Sequence, residues 1–128
     1  MQKVNKKTIL VVEDEKDVMD YLVTFFEDND YNVITASNGN SGFKTAIANH
    51  PDLISLDLSM PGESGLRLYK NLNEAPSTKN IPILVVTGFS SEFKDFFNKL
   101  KQGESPAGYF EKPIDREALL NKIKETIG

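Results

Sequence analysis

Five short apolar, β-branched runs punctuate the chain: residues 9–12 (ILVV), 33–36 (VITA), 53–56 (LISL), 83–86 (ILVV) and a weaker pair at 109–110 (YF). Their starts lie roughly 20 to 30 residues apart, and the stretches between them have the period of amphipathic helices. Val18, Leu22, Phe25 and Phe26 fall at i, i+4, i+7 and i+8, which is one helical face. Phe43 and Ile47, then Leu66, Tyr69 and Leu72, mark two further helices. Phe89, Phe93, Phe96 and Phe97 mark a fourth, and Leu119, Ile123 and Ile127 a fifth, with Asp115 placed as its N-cap just after Pro113.

Strands alternating with helices predict βαβ units, hence a parallel sheet with helices on both faces. The runs ILVV, LISL and ILVV are continuously apolar, as strands covered on both faces must be. Five such units make a doubly wound (βα)5 domain, an α/β fold whose ligands sit outside the carboxyl ends of the strands. There is no internal repeat, low-complexity tract or linker. The length of 128 residues and mass of 14.3 kDa fit one ordinary domain, here expected as a flexible arm at 1–7 and a folded unit at 8–128.

Composition narrows the chemistry. The chain has no cysteine, which excludes a disulfide framework, thiolate metal sites and a cysteine nucleophile. Its one histidine, His50, precedes Pro51 in a helix-to-strand loop and reads as a surface residue, which disfavours a multi-histidine metal site. A net charge of −4 argues against direct nucleic-acid binding. No apolar run nears the ~18 residues of a membrane span, and residues 1–7 lack the apolar core of a signal peptide. The expected location is cytoplasmic, with no membrane insertion.

The strand-end rule then focuses the search. The first strand runs into Glu13-Asp14-Glu15, the third into Asp57, the fourth into Thr87-Gly88 and the fifth into Lys112-Pro113. The second ends in Ser37-Asn38-Gly39, ordinary turn residues. Glu13, Asp14 and Asp57 would meet at one edge, where two carboxylates ~4 Å apart repel by about 4 kcal/mol at an effective dielectric of 20. Relief comes from a hard divalent cation or from a proton held with a raised pKa. Mg²⁺ suits an all-oxygen site of this kind. With Lys112 and the Thr87 hydroxyl it would form a cradle for a phosphoryl group, and Asp57, ending the most central strand, is the candidate nucleophile. Each residue also has a plainer reading. The acids could simply favour the dipole of the first helix. Asp57 could be a strand-end cap, Thr87 a strand residue, Lys112 a solvated cation and Tyr109 a half-buried strand aromatic.

The segments 9–15 (ILVVEDE), 56–65 (LDLSMPGESG), 86–88 (VTG) and 111–113 (EKP), in this order at four strand ends, resemble the receiver domain of two-component response regulators. The resemblance extends from about Thr8 to the end of the chain. It implies a flavodoxin-like sheet of order 2-1-3-4-5. It implies Asp57 as the phosphoacceptor, supplied by a histidine kinase or phosphotransfer protein. Asp14 corresponds to the direct Mg²⁺ ligand, Glu13 to a second acid acting through water, and Ser59 to a ligand through its backbone carbonyl. Thr87 and Tyr109 correspond to the switch pair. Lys112 corresponds to the lysine that supports catalysis of the domain's own phosphorylation, and the Lys112–Pro113 bond is expected cis. Met60, Pro61, Gly62 and Gly65 would shape the loop over the pocket, and Gly88 would leave space for the phosphoryl group.

One segment departs from the family's spacing. The stretch between Thr87 and Lys112 is about three residues longer than usual, with the surplus placed in residues 103–108 (GESPAG). The phenylalanine stripe before it reads as core-facing, or alternatively as a docking surface for a downstream protein near the fourth helix, fifth strand and fifth helix. The function expected is a phosphorylation-controlled signalling switch that turns over no external substrate. The rivals are a constitutive scaffold on the same fold and an aspartate-nucleophile phosphatase. The latter lacks its second aspartate, since Asp57-Leu58-Ser59 stands where Asp-x-Asp would be required.

Overall fold

The computed structural model describes residues 6–61, 64–88, 91–100 and 103–128. Five strands alternate with five helices: β1 (Thr8–Val12), α1 (Lys16–Asp28), β2 (Asn32–Ala36), α2 (Gly39–Asn49), β3 (Leu53–Leu56), α3 (Ser64–Glu74), β4 (Ile83–Thr87), α4 (Ser91–Asn98), β5 (Gly108–Glu111) and α5 (Arg116–Ile127). All strand pairings are parallel, in the order β2-β1-β3-β4-β5. This is the order the sequence implied. Of the expected arm, residues 1–5 lie outside the described residues, and Lys6 and Lys7 are exposed.

The apolar strands divide their side chains between two cores. Leu10, Val12, Ile54, Leu56, Ile83 and Val85 pack against α2, α3 and α4, while Ile9, Val11, Leu53, Leu84 and Val86 pack against α1 and α5. Period-2 alternation thus buries both faces of β1, β3 and β4, which is why these runs contain no alternating polar positions. β5 borders only β4 and is half-buried throughout.

The helices follow their stripes with one exception. Leu22 and Phe26 anchor α1, Leu119 and Ile123 anchor α5, and the Asp115 side chain caps α5 by accepting from the Ala118 N–H at 3.1 Å. In α2, Ile47 faces outward at 39% exposure, and Gly42 and Ala46 take the inward positions. The reason is close approach: a Cβ on Gly42 would lie 2.9 Å from Leu68 Cδ2 and 3.2 Å from Val12 Cγ2. A large side chain cannot share that face. His50 is exposed and closes α2 in the left-handed region, φ 46°, as a surface residue.

The longer connection before β5 is fastened to α3. The Glu104 carbonyl accepts from the Tyr69 hydroxyl and, at 3.3 Å, from Asn73 Nδ2, while the Ala107 N–H donates to the Ile83 carbonyl at 2.8 Å. Beside this clasp, Tyr69, Phe96, Phe97 and Tyr109 form a chain of edge-on rings with centroids 5.1 to 6.1 Å apart. Phe93, Phe96 and Phe97 lean on the core without being fully buried. Phe89 lies outside the described residues.

Candidate functional site

The strand ladder continues one residue past three strand ends. The Glu13 N–H donates to the Ala36 carbonyl at 3.1 Å, the Asp57 N–H to Val12 at 3.0 Å, and the Lys112 N–H to Thr87 at 2.8 Å. Sheet hydrogen bonds therefore fix the backbone of all three residues just where their side chains leave the core. The sequence brings two acids and one cation to one edge because each immediately follows a strand.

The side chains converge. Carboxylate oxygens of Glu13, Asp14 and Asp57 lie within 4.8 Å of one another. Glu13 and Asp57 are almost wholly buried, at 1% and 2% exposure, and Asp14 is exposed. Lys112 Nζ lies 3.1 Å from Glu13 Oε1 and 3.4 Å from Asp57 Oδ2. Thr87, at 0% exposure, donates from Oγ1 to Asp57 Oδ1 at 2.8 Å, and the Ser59 N–H donates to the same oxygen at 2.9 Å. The Glu15 N–H donates to Glu13 Oε2 at 3.2 Å.

This crowding shifts the charges. Burial, then the hydrogen bond and charge of Asp57, push Glu13 from 4.5 up to about 7, against the Glu15 N–H and Lys112. Burial would raise Asp57 as well. The Ser59 N–H, the Glu13 side chain, the Thr87 hydroxyl and the Lys112 charge outweigh it and hold Asp57 below its ordinary value of 3.8. Burial would lower Lys112, but Asp57 and Glu13 together hold it above 10.5. The surroundings thus favour the anion on Asp57 and the proton on Glu13. One lysine does not neutralise three acids. An all-oxygen, under-compensated cluster is the donor set that a hard divalent cation fits.

Around this centre the other expected residues take distinct places. Pro61 is exposed, Gly62 lies outside the described residues, and Met60 is buried in the core beside Leu58. Gly65 sits inside the first turn of α3, not in the loop. A Cβ there would lie 2.6 Å from Leu58 Cα and 2.9 Å from the Asp57 carbonyl oxygen, so its bare Cα lets α3 press against the backbone that carries Asp57. Gly88 is partly open, and a Cβ there would meet only Ser59 Oγ, at 3.7 Å. The Lys112–Pro113 peptide is cis. Tyr109 is half-buried against Phe97, and its hydroxyl is buried without a partner among the described residues.

Sequence reasoning gave Ser59 a backbone role at the metal and, as the residue two beyond Asp57, an influence on the lifetime of the phosphorylated form. The structure also places its Oγ 2.8 Å from Thr87 Oγ1. The available signal was a small hydroxyl residue two positions after Asp57, facing a glycine that follows Thr87. An open groove of about 260 Å³, lined by Asp17, Val18, Tyr21, Lys112, Pro113 and Ile114, borders the site on the α1 side.

Comparison with known proteins gives a consistent picture. The sequence profile of the response regulator receiver domain matches residues 9–124. The chain is 32% identical over 119 residues to protein PilH of Pseudomonas aeruginosa, covering 93% of this chain and 96% of that one. It is 30% identical over 122 residues to the polar-differentiation response regulator DivK of Brucella ovis, covering 95% and 97% of the two chains. The solved structure of the chemotaxis protein CheY4 of Vibrio cholerae superposes with a TM-score of 0.82 at 25% identity, over 95% of this chain and 99% of that one.

Proposed function

Since this chain belongs to the response regulator receiver family, whose general role is that of a phosphorylation-controlled switch in two-component signalling, we propose that Asp57 is its phosphoacceptor. The observation that carries this reading is the state of Asp57. It is buried, held by two donors on Oδ1 and facing a lysine on its other oxygen, partners that keep its carboxyl below the ordinary value. A carboxylate attacks as its anion. The fold favours that form at Asp57, while burial and the neighbouring carboxylate push Glu13 up.

Glu13, Asp14, Asp57 and the Ser59 carbonyl would hold Mg²⁺, which when bound supplies positive charge against the phosphoryl oxygens. Lys112 lies within reach of the same oxygens, and the Thr87 hydroxyl can turn its proton from Asp57 to one of them. The Asp57 backbone is fixed by the sheet and its Oδ1 by two donors, so the protein contributes orientation and charge, and it turns over no external substrate. The phosphodonor is the phosphohistidine of a histidine kinase or phosphotransfer protein, approaching across the groove of Tyr21, Val18, Pro113 and Ile114. The output follows from Thr87, bonded to Asp57, and Tyr109, packed on Phe97 of α4, with a downstream partner docking near α4, β5 and α5.

Incubation with acetyl phosphate and Mg²⁺, followed by intact-mass measurement, tests the assignment. The wild type should gain one phosphoryl group and Asp57→Asn none. Labelling of Asp57→Asn at the wild-type rate would remove Asp57 from this role.

A further inference from the structure

The Ser59 hydroxyl makes a contact that the phosphoacceptor reading leaves unused. Ser59 Oγ, Thr87 Oγ1 and Asp57 Oδ1 form a chain with successive separations of 2.8 and 2.8 Å. Each hydroxyl has one proton to donate, and a carboxylate only accepts. Thr87 therefore gives its proton to Asp57, and Ser59 must be the donor to Thr87. The order of protons along the chain is fixed by this inventory.

Two local features frame the chain. The Ser59 N–H bonds back to Asp57 Oδ1 at 2.9 Å, closing a two-residue loop that sets the direction of the Ser59 side chain. Gly88, beside Thr87, lies next to Ser59 Oγ, which a Cβ there would meet at an ordinary 3.7 Å. Thr87 is wholly buried, whereas Ser59 is exposed. The serine thus reaches in from the rim of the site to a hydroxyl that solvent does not touch.

We propose that Ser59 is a positioning residue: by donating to Thr87 it selects the Thr87 rotamer whose proton points at Asp57, so that the hydroxyl already faces the anion formed there. A threonine χ1 has three staggered wells, and a donor on one side selects among them. Accepting a bond also polarises the Thr87 O–H and makes it a better donor. The inference rests on the reading of Asp57 as phosphoacceptor.

The test compares wild type, Ser59→Ala, Ser59→Thr, Thr87→Val and the Ser59→Ala/Thr87→Val double variant, using beryllofluoride with Mg²⁺ as the phosphoryl mimic. Ser59→Ala should weaken apparent beryllofluoride affinity about 3- to 10-fold, the range of one net hydrogen bond. Ser59→Thr, which keeps the hydroxyl, should restore it, and Ser59→Ala should have no added effect on the Thr87→Val background. Without beryllofluoride or metal, NMR couplings to the Thr87 methyl should report one χ1 rotamer in the wild type and averaging in Ser59→Ala. Wild-type affinity in Ser59→Ala, an equal loss on the Thr87→Val background, or an unaveraged Thr87 in Ser59→Ala would each overturn the proposal. A wild type that binds no beryllofluoride while its Thr87 couplings respond to Ser59→Ala would overturn the Asp57 reading and leave the Ser59–Thr87 contact standing.

Discussion

At Glu13, burial and a neighbouring carboxylate act in the same direction, and the result is a folded-state pKa of about 7 against an ordinary 4.5. The native state binds the extra proton and the unfolded state does not. Its stabilising contribution is complete below about pH 4.5 and is lost as the pH rises to about 7. Asp57, shifted the other way, acts in a separate window below its ordinary 3.8. We expect metal-free Glu13→Gln to show a flatter melting temperature between pH 4.5 and 7 and to melt above wild type at pH 8. Thermal melts in chelator across that range check it. Residue type and strand-end position made Glu13, Asp14, Asp57 and Lys112 legible as a group. That the cluster would raise a pKa was legible too, but not that Glu13 is pushed up while Asp57 is held down, because that depends on oxygen-to-oxygen geometry that only the finished ladder sets. Gly65 illustrates the same limit. Its sequence context suggested a loop, yet its role comes from the distance between the first turn of α3 and the backbone at Leu58.

Among the elements, the departure from family spacing has a defined mooring. The segment from Gly103 to β5 is tied to α3 at the Glu104 carbonyl, which receives both Tyr69 and Asn73. Removing these donors in a Tyr69→Phe/Asn73→Ala variant should raise amide exchange at residues 103–107 about 10-fold or more while leaving β1 and β3 protected, as hydrogen-exchange mass spectrometry can show. Exchange equal to wild type there would mean that the clasp carries no stability. The surplus was visible in the sequence as a count of residues. Its attachment was not, since Tyr69 and Asn73 look like ordinary members of an amphipathic helix. In the α4 stripe Phe93, Phe96 and Phe97 lean on the core without being fully buried, and ring-to-ring contacts reach α3 and β5 together, which periodicity within one helix cannot reveal. In α2 the two glycine-and-alanine positions outcompeted Ile47 for the inner face, because proximity to β1 and α3 rewards absence of bulk over hydrophobicity.

For the whole molecule, pattern carried the fold class: five short apolar runs between helical stretches, three of them buried on both faces, admit a parallel sheet, and a parallel sheet places its chemistry at one edge. Metal binding to that edge stabilises only the folded state. With Mg²⁺ at a hundredfold its dissociation constant, unfolding free energy should rise by about 2.7 kcal/mol, and Asp14→Asn should lose most of this gain in paired urea titrations. The strand order has a mechanical consequence. The acids follow β1 and β3, each clamped between two neighbouring strands, whereas Lys112 follows β5, which is hydrogen-bonded on one side alone. The negative pole of the site is therefore mounted on strands paired on both sides and the positive pole on a border strand. We expect a change of charge at the carboxylates to displace the lysine and its border strand before the central strands, which amide exchange at β5 against β1 and β3 checks.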